Sequence, residues 1–299
     1  MIQLEKISKR FGTHYGLRDV SAEIPSGSIY GLVGSNGSGK STLLRLIAGI
    51  YQADVGKVSI NGIEVFEHPE IKQRMFYISD DQYIEINSTI KEMAQMYSQI
   101  YPEYDVKLAL DMAKSFGLDT AAKFKTFSKG MQRQAHILLG LASKPAVLLC
   151  DETFDGLDPV KRRGVKQIFS RMVLDYGTTV MIASHNLREL EDICDHIALL
   201  HQGNMVFESK LEDMENDIFK VQTAFRMVRR KDDFAEISPI HFEQRGRMIS
   251  MIVRGEKAQI LEAVQRMEPL YVEVLPLTLE EIFIGEMEVL GYDIQEVIQ

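Results

Sequence analysis

What the chain lacks narrows it first. No stretch approaches the roughly 18 uncharged apolar residues of a membrane-spanning helix. The charged opening, Met1 to Gly12, carries no apolar run of the signal-peptide kind. The chain is therefore expected to fold in the cytosol, any membrane link coming from a separate polypeptide. Positive charge is also short: 34 Lys and Arg against 43 Asp and Glu leave a net charge of −9, which argues against non-specific adhesion to nucleic acid or anionic headgroups. Cysteine is scarce. Cys150 ends the apolar run Ala146-Val147-Leu148-Leu149-Cys150 and reads as a buried, reduced core thiol. Cys194 sits in a charged stretch of helical character with no assigned role, and the two lack metal-like spacing. Internal repeats and low-complexity segments are absent.

What is there is ordinary globular material. At 299 residues, 45% hydrophobic and 26% charged, the chain has room for one large domain and a smaller one. Strand-like runs span Ile2 to Ile7, Leu17 to Ile24 and Tyr30 to Val33. The third enters a Gly-rich loop and then Ser41 to Ala48, whose apolar residues recur at helical spacing. The region 85–143 is patterned as helix. Ala146 to Cys150 and Thr179 to Ala183 are short apolar runs of the buried parallel-strand type. The texture changes after Lys210. Ile249 to Val253 and Leu270 to Val274 read as strands, Ala258 to Met267 and Leu279 to Met287 as helices, with Thr278 and Glu281 spaced as a capping box. The expectation is an α/β nucleotide-binding domain over 1–210 with a helical subdomain at about 85–143, followed by a small α+β domain over 211–299.

The chemistry concentrates in few segments. Gly34-Ser35-Asn36-Gly37-Ser38-Gly39-Lys40-Ser41-Thr42 satisfies G-x-x-x-x-G-K-[ST] in full. Glycines let successive N–H groups turn inward on phosphate oxygens, and the following helix offers its positive end to the same anion. Lys40 can reach the β- and γ-phosphates and the Ser41 hydroxyl can ligate Mg2+. Val147 to Glu152 is an apolar strand ending in two carboxylates. Asp151 suits a metal-holding role, and Glu152 suits polarising the attacking water. Phe127-Ser128-Lys129-Gly130-Met131-Gln132 opens a helical run, so that Ser128, Lys129, Gly130 and a helix N-terminus can form a second anion site.

In this order the segments resemble the ATP-binding subunit of ABC transporters, over about 1–210, and the resemblance is to bacterial exporter-type ATPases. It implies a RecA-like P-loop core with N-terminal antiparallel strands, ATP and Mg2+ as ligands, and ATP hydrolysis as the activity. Phe11 matches the aromatic residue that stacks on adenine. Ser128 to Gln132 matches the signature segment, Asp155-Gly156-Leu157-Asp158 the D-loop, and His185 the switch histidine. Two departures stand out. Phe127, Lys129 and Met131 replace Leu, the first Gly and Gln of the signature. Asp80 occupies the place of the family's magnesium-contacting Gln, with Gln82 two residues later, so either Asp80 or Gln82 is the metal-contacting residue there.

The chain has one P-loop and one signature segment, which in the family it resembles face each other only across a dimer. The resemblance thus implies a dimer, self or paralogue, in which Ser128 and Gly130 of one subunit cover the γ-phosphate held by Lys40 of the other. The segment at about 80–127 would pass movement to an integral membrane permease, and no nucleic acid is expected as a partner. The expected place of work is the cytoplasm, peripheral on the inner face of the cell membrane. The C-terminal appendage resembles those on ATPases that drive small exporters of peptides, antibiotics or lipids, which implies an exporter. The alternative is a soluble ABC-type regulatory or assembly ATPase without a transport partner.

Overall fold

Alternating burial shapes the first two strands of the computed structural model. In β1 (Ile2–Phe11) Ile2, Leu4 and Ile7 face inward, the phase slipping at Lys6, whose φ of 47° marks a register shift against β2 (His14–Ile24). With β4 (Val55–Ile60) and β5 (Ile63–Glu64) they form an antiparallel sheet of order β2-β1-β4-β5. The structure describes residues 1–80, 85–213 and 218–289.

The second sheet has the order β10-β9-β3-β8-β7-β6. Its strands are β3 (Ile29–Val33), β6 (Met75–Ile78), β7 (Val147–Asp151), β8 (Thr179–Ser184), β9 (His196–His201) and β10 (Asn204–Lys210). From β9 to β6 the pairing is parallel. Every residue of β3, β7 and β8 is buried, which is why those runs read as unbroken apolar stretches. One core cluster joins the two sheets to α1 (Lys40–Ile47) through Leu43, Leu44, Leu46 and Ile47.

Between β6 and β7 stand α3 (Ile90–Ile100), α4 (Val106–Ser115) and α5 (Lys129–Leu141), preceded by the short α2 (Pro69–Lys72). Their starts are written locally: Thr89 and Glu92 form a capping box, and Asp105 and Ser128 cap α4 and α5. The long helix α6 (Pro159–Tyr176) begins on Asp158 and ends on Gly177 at φ 66°, a left-handed stop. The helical reading around Cys194 needs correction. Only a 3-10 turn, Leu187–Glu189, forms there. The Asp195 carboxylate accepts the Ile29 N–H at 2.7 Å and leads the chain straight into β9, leaving Cys194 buried. Burial pushes both thiols, Cys150 and Cys194, well above the usual range.

The chain forms two units, Met1–Glu208 and Ser209–Gln299. In the second, β11 (Ile218–Ala224), β12 (His241–Arg245), β13 (Met248–Arg254) and β14 (Tyr271–Leu275) make an antiparallel sheet of order β12-β13-β11-β14. Val221, Phe234, Met251 and Val253 pack with Ile260 and Val264 of α7 (Lys257–Gln265). The helix α8 (Leu279–Val289) starts on Thr278 and Glu281, which exchange reciprocal hydrogen bonds at 3.3 and 3.1 Å. Glu281 also pairs with Lys220 of β11.

Candidate functional site

Parallel pairing brings the chemistry to one edge of the second sheet. Val33 lies level with Ser184 and Asp151 with Ala183. The loop after β3, the acidic turn after β7 and the histidine after β8 therefore emerge side by side. This is the carboxyl end of the strands, where open α/β sheets place ligands.

The loop owes its shape to two glycines. A Cβ on Gly34 would lie 2.3 Å from the Leu200 carbonyl oxygen, and Gly39, at φ 110°, has the Gly16 carbonyl 2.5 Å from where its own would stand. No side chain caps α1 and no acid sits in its first turn, so its free N–H groups face whatever the loop encloses. Asn36 and Gly37 are exposed at the loop's crown, while the Ser38 hydroxyl is buried without a hydrogen-bond partner among the described residues. Lys40, 5% exposed, donates to the carbonyls of Gly34 at 2.7 Å and Ser35 at 3.1 Å and lies 3.4 Å from Glu152 Oε1. Its ammonium is a buried cation inside the loop, of the kind that can exchange such oxygens for those of a phosphate.

Glu152 carries backbone strain. Its φ of 47° is the left-handed region, which a residue with a Cβ enters at a cost of about 1 kcal/mol or more. That turn aims its carboxylate between Lys40 and His185, whose Nδ1 is 2.9 Å from Glu152 Oε2. Donor atoms of Glu152, Asp155 and His185 lie within 4.8 Å of one another. The arrangement can take a proton at Glu152 while Lys40 holds charge a few ångströms away.

Asp151 is held at both oxygens. Ser41 donates to Oδ1 at 3.0 Å and Tyr77 donates to Oδ2 at 2.9 Å. A hydroxyl and a carboxylate in contact are hard oxygen donors, and they fit Mg2+. Burial, then the neighbouring Asp151, raises the Tyr77 phenol far above its usual range, so it stays a donor. Sequence reading missed Tyr77. The only signal was a hydroxyl in an otherwise apolar strand.

Other expected residues stand as follows. Phe11 is 46% exposed and meets Tyr51 edge-on at 5.5 Å. Its ring and the Thr42 methyl both crowd Gly16, which puts an open aromatic face next to the end of the phosphate loop. Ser128 and Lys129 are exposed and Gly130 half-buried, with the Ser128 hydroxyl accepting the Met131 N–H at 3.3 Å. Asp158 is exposed and accepts the Lys161 N–H at 3.0 Å, capping α6. The Asp80 carboxylate is taken up by Arg133 at 2.8 Å, and among the described residues Tyr77 reaches Asp151 from this side. Gln82 lies outside the described residues.

Comparison with known proteins agrees with this geometry. The family model described as ABC transporter matches residues 17–155. The ABC transporter ATP-binding protein YtrB of Bacillus subtilis is 30% identical over 290 residues, covering 96% of this chain and 98% of that protein. The methionine import ATP-binding protein MetN of Protochlamydia amoebophila is 30% identical, with 72% of this chain and 67% of that protein covered. The lantibiotic transport ATP-binding protein SrtF of Streptococcus pyogenes is 27% identical, with 77% and 100% covered. Among solved structures, the ATP-binding subunit of an ABC transporter superposes with a TM-score of 0.65 at 25% identity, covering 72% of this chain and 92% of its own. A dimeric bacterial ABC transporter cassette has the same fold, with a TM-score of 0.65 at 23% identity and coverage of 71% and 99%. Among the described residues no helix is long and apolar enough to cross a membrane. The loop around Lys40, the paired carboxylates of Asp151 and Glu152 and the near full-length relationship converge, and the chain belongs to the ATP-binding subunits of ABC transporters, a family that hydrolyses ATP.

Proposed function

We propose that the chain powers an exporter by closing with a second cassette around two ATP molecules. One observation carries the reading: Lys40, Glu152, His185, Ser41 and Asp151 converge at one sheet edge, while Ser128 and Lys129 stand exposed on another segment, free to meet a second molecule. In this scheme Phe11 stacks on adenine and the loop Gly34 to Thr42 wraps the phosphates. Ser128, Lys129 and Gly130 close over the partner's γ-phosphate. Asp158 lies at the seam, its side chain also starting α6.

Glu152 orients and deprotonates the attacking water, and His185 contacts the γ-phosphate and holds the Glu152 carboxylate in place. Mg2+, held by Ser41 and Asp151, would neutralise charge on the β- and γ-phosphates. Loss of the γ-phosphate removes the contact joining the two subunits, and they part.

The outward direction is read from the C-terminal appendage, through its resemblance to those of exporter-type ATPases; a relative named for lantibiotic transport is covered over 100% of its length. The relative named for methionine import is matched over only 67% of its length. The permease is a separate membrane protein and the partner cassette a copy or a paralogue, with the subunit working on the cytoplasmic face of the membrane. The 211–299 region acts as an accessory domain. Purification from membranes in mild detergent tests this: a co-eluting multispanning subunit that raises the ATPase rate is expected. Recovery only from the soluble fraction, with no such partner, would favour a regulatory or assembly ATPase.

A further inference from the structure

Arg133 lies five residues beyond Ser128 on α5, and no motif of the sequence singles it out. Its guanidinium is 14% exposed and divides between two segments. Nη1 donates to the backbone carbonyl of Asp155 at 2.9 Å. Nη2 donates to the Asp80 carboxylate at 2.8 Å and meets the Asp80 carbonyl at 3.4 Å. One rigid fork thus ties three stretches together: the start of α5, the end of β6, and the turn that carries Glu152.

A second contact lies beside it. A Cβ on Gly130 would stand 3.1 Å from the Gly156 carbonyl oxygen, so the first turn of α5 already rests against that turn. Asp155 also donates its own N–H to the Glu152 carbonyl at 3.3 Å, and its carboxylate shares the cluster with Glu152 and His185. Moving the Asp155 carbonyl therefore moves the peptide next to the strained Glu152 backbone.

We infer that Arg133 is a positioning residue that fixes the Glu152–Leu157 turn, and that Asp80 sets Arg133 in place, so that a displacement of the 80–127 segment reaches the hydrolytic carboxylate through one guanidinium. Asp80 then has a task of its own at the position where the resemblance implies a metal-contacting Gln: it anchors a cation, while Ser41 and Tyr77 hold Asp151. The inference rests on Glu152 as the water-polarising residue.

Two readouts separate it from that assignment. Hydrogen exchange of a peptide spanning Glu152 to Leu157 needs no hydrolysis: Arg133→Gln is expected to speed exchange there by about tenfold and Asp80→Asn by about threefold. Steady-state kinetics should show kcat falling by about tenfold and threefold in the same variants with KM for ATP unchanged, because no group on the phosphates is altered. The double variant should be no worse than Arg133→Gln alone, since both act through one contact. Unchanged exchange in Asp80→Asn, whose carboxylate is largely exposed, would overturn the inference even if Arg133→Gln failed to fold. So would additive losses, or a rise in KM at constant kcat. If exchange quickens in both variants while Glu152→Gln hydrolyses ATP at the wild-type rate, the tether stands and the role given to Glu152 falls.

Discussion

Replacing Glu152 by Gln separates nucleotide binding from chemistry, and the structure says by how much. The amide keeps the side chain's shape, and the backbone cost at φ 47° is the same for Gln as for Glu. The hydrogen bond to His185, 2.9 Å in the wild type, can be kept. What disappears is the ability to take a proton, worth about 10²–10⁴-fold in rate for a placed general base. The ion pair with Lys40 at 3.4 Å also disappears. Two charges at that distance attract by about 5 kcal/mol at an effective dielectric near 20, before the desolvation that offsets most of it. Because Lys40 must leave Glu152 to meet phosphate, the net effect on ATP is a Kd unchanged or up to about fivefold tighter. Single-turnover hydrolysis and fluorescent-nucleotide titration measure the two parts, and size-exclusion chromatography with light scattering in Mg-ATP should find the variant accumulating as a dimer. Hydrolysis at the wild-type rate would show that another group polarises the water. A Kd weakened a hundredfold would show that the carboxylate helps to hold nucleotide, and the reasoning from geometry would fail.

Lys40→Ala removes the buried cation proposed to hold the phosphates, and at about 1.5–3 kcal/mol for each charged hydrogen bond the loss of two should weaken ATP by about 10²–10⁴-fold, read by the same titration. Tyr77→Phe leaves Asp151 without its outer donor, and the Mg2+ concentration for half-maximal nucleotide binding should rise about tenfold; an unchanged midpoint would mean the phenol only packs. Burial, with Arg133 alongside, pushes the His136 imidazole down to about 4. Its folded form resists protonation below its unfolded value near 6.5, so its share of stability is complete above pH about 6.5 and is lost as pH falls towards 4, by about 3 kcal/mol. Urea unfolding at a series of pH values should therefore give a shallower acid slope for His136→Phe than for the wild type, and parallel curves would refute it.

Legibility in the sequence tracked how local each feature is. The loop Gly34 to Thr42 was readable because backbone turn, helix start and cation sit within nine consecutive residues. β3, β7 and β8 were readable because burial on both faces writes an unbroken apolar run. Thr278 and Glu281 announced their helix three residues apart. Tyr77 on Asp151 and Arg133 on Asp80 were invisible, because each contact joins segments more than fifty residues apart whose meeting depends on the order of strands. Asp80 shows the same limit from the other side. Position along the chain offered it or Gln82 as a metal contact, and the partner the structure gives its carboxylate, Arg133, lies 53 residues away in the sequence. Around Cys194 helical patterning lost to a single carboxylate, Asp195, which stitches the chain to β3.

The left-handed backbone at Glu152 has a consequence for how such a subunit can lose its activity. A cassette released from hydrolysis no longer needs a long side chain there, and glycine enters that conformation freely. Glu152→Gly should melt higher than Glu152→Ala, by about 1 kcal/mol in unfolding free energy, since both lack the carboxylate and only alanine retains the steric penalty. The turn is thus a standing incentive towards a quiet, sturdier relative, held off only while turnover is required.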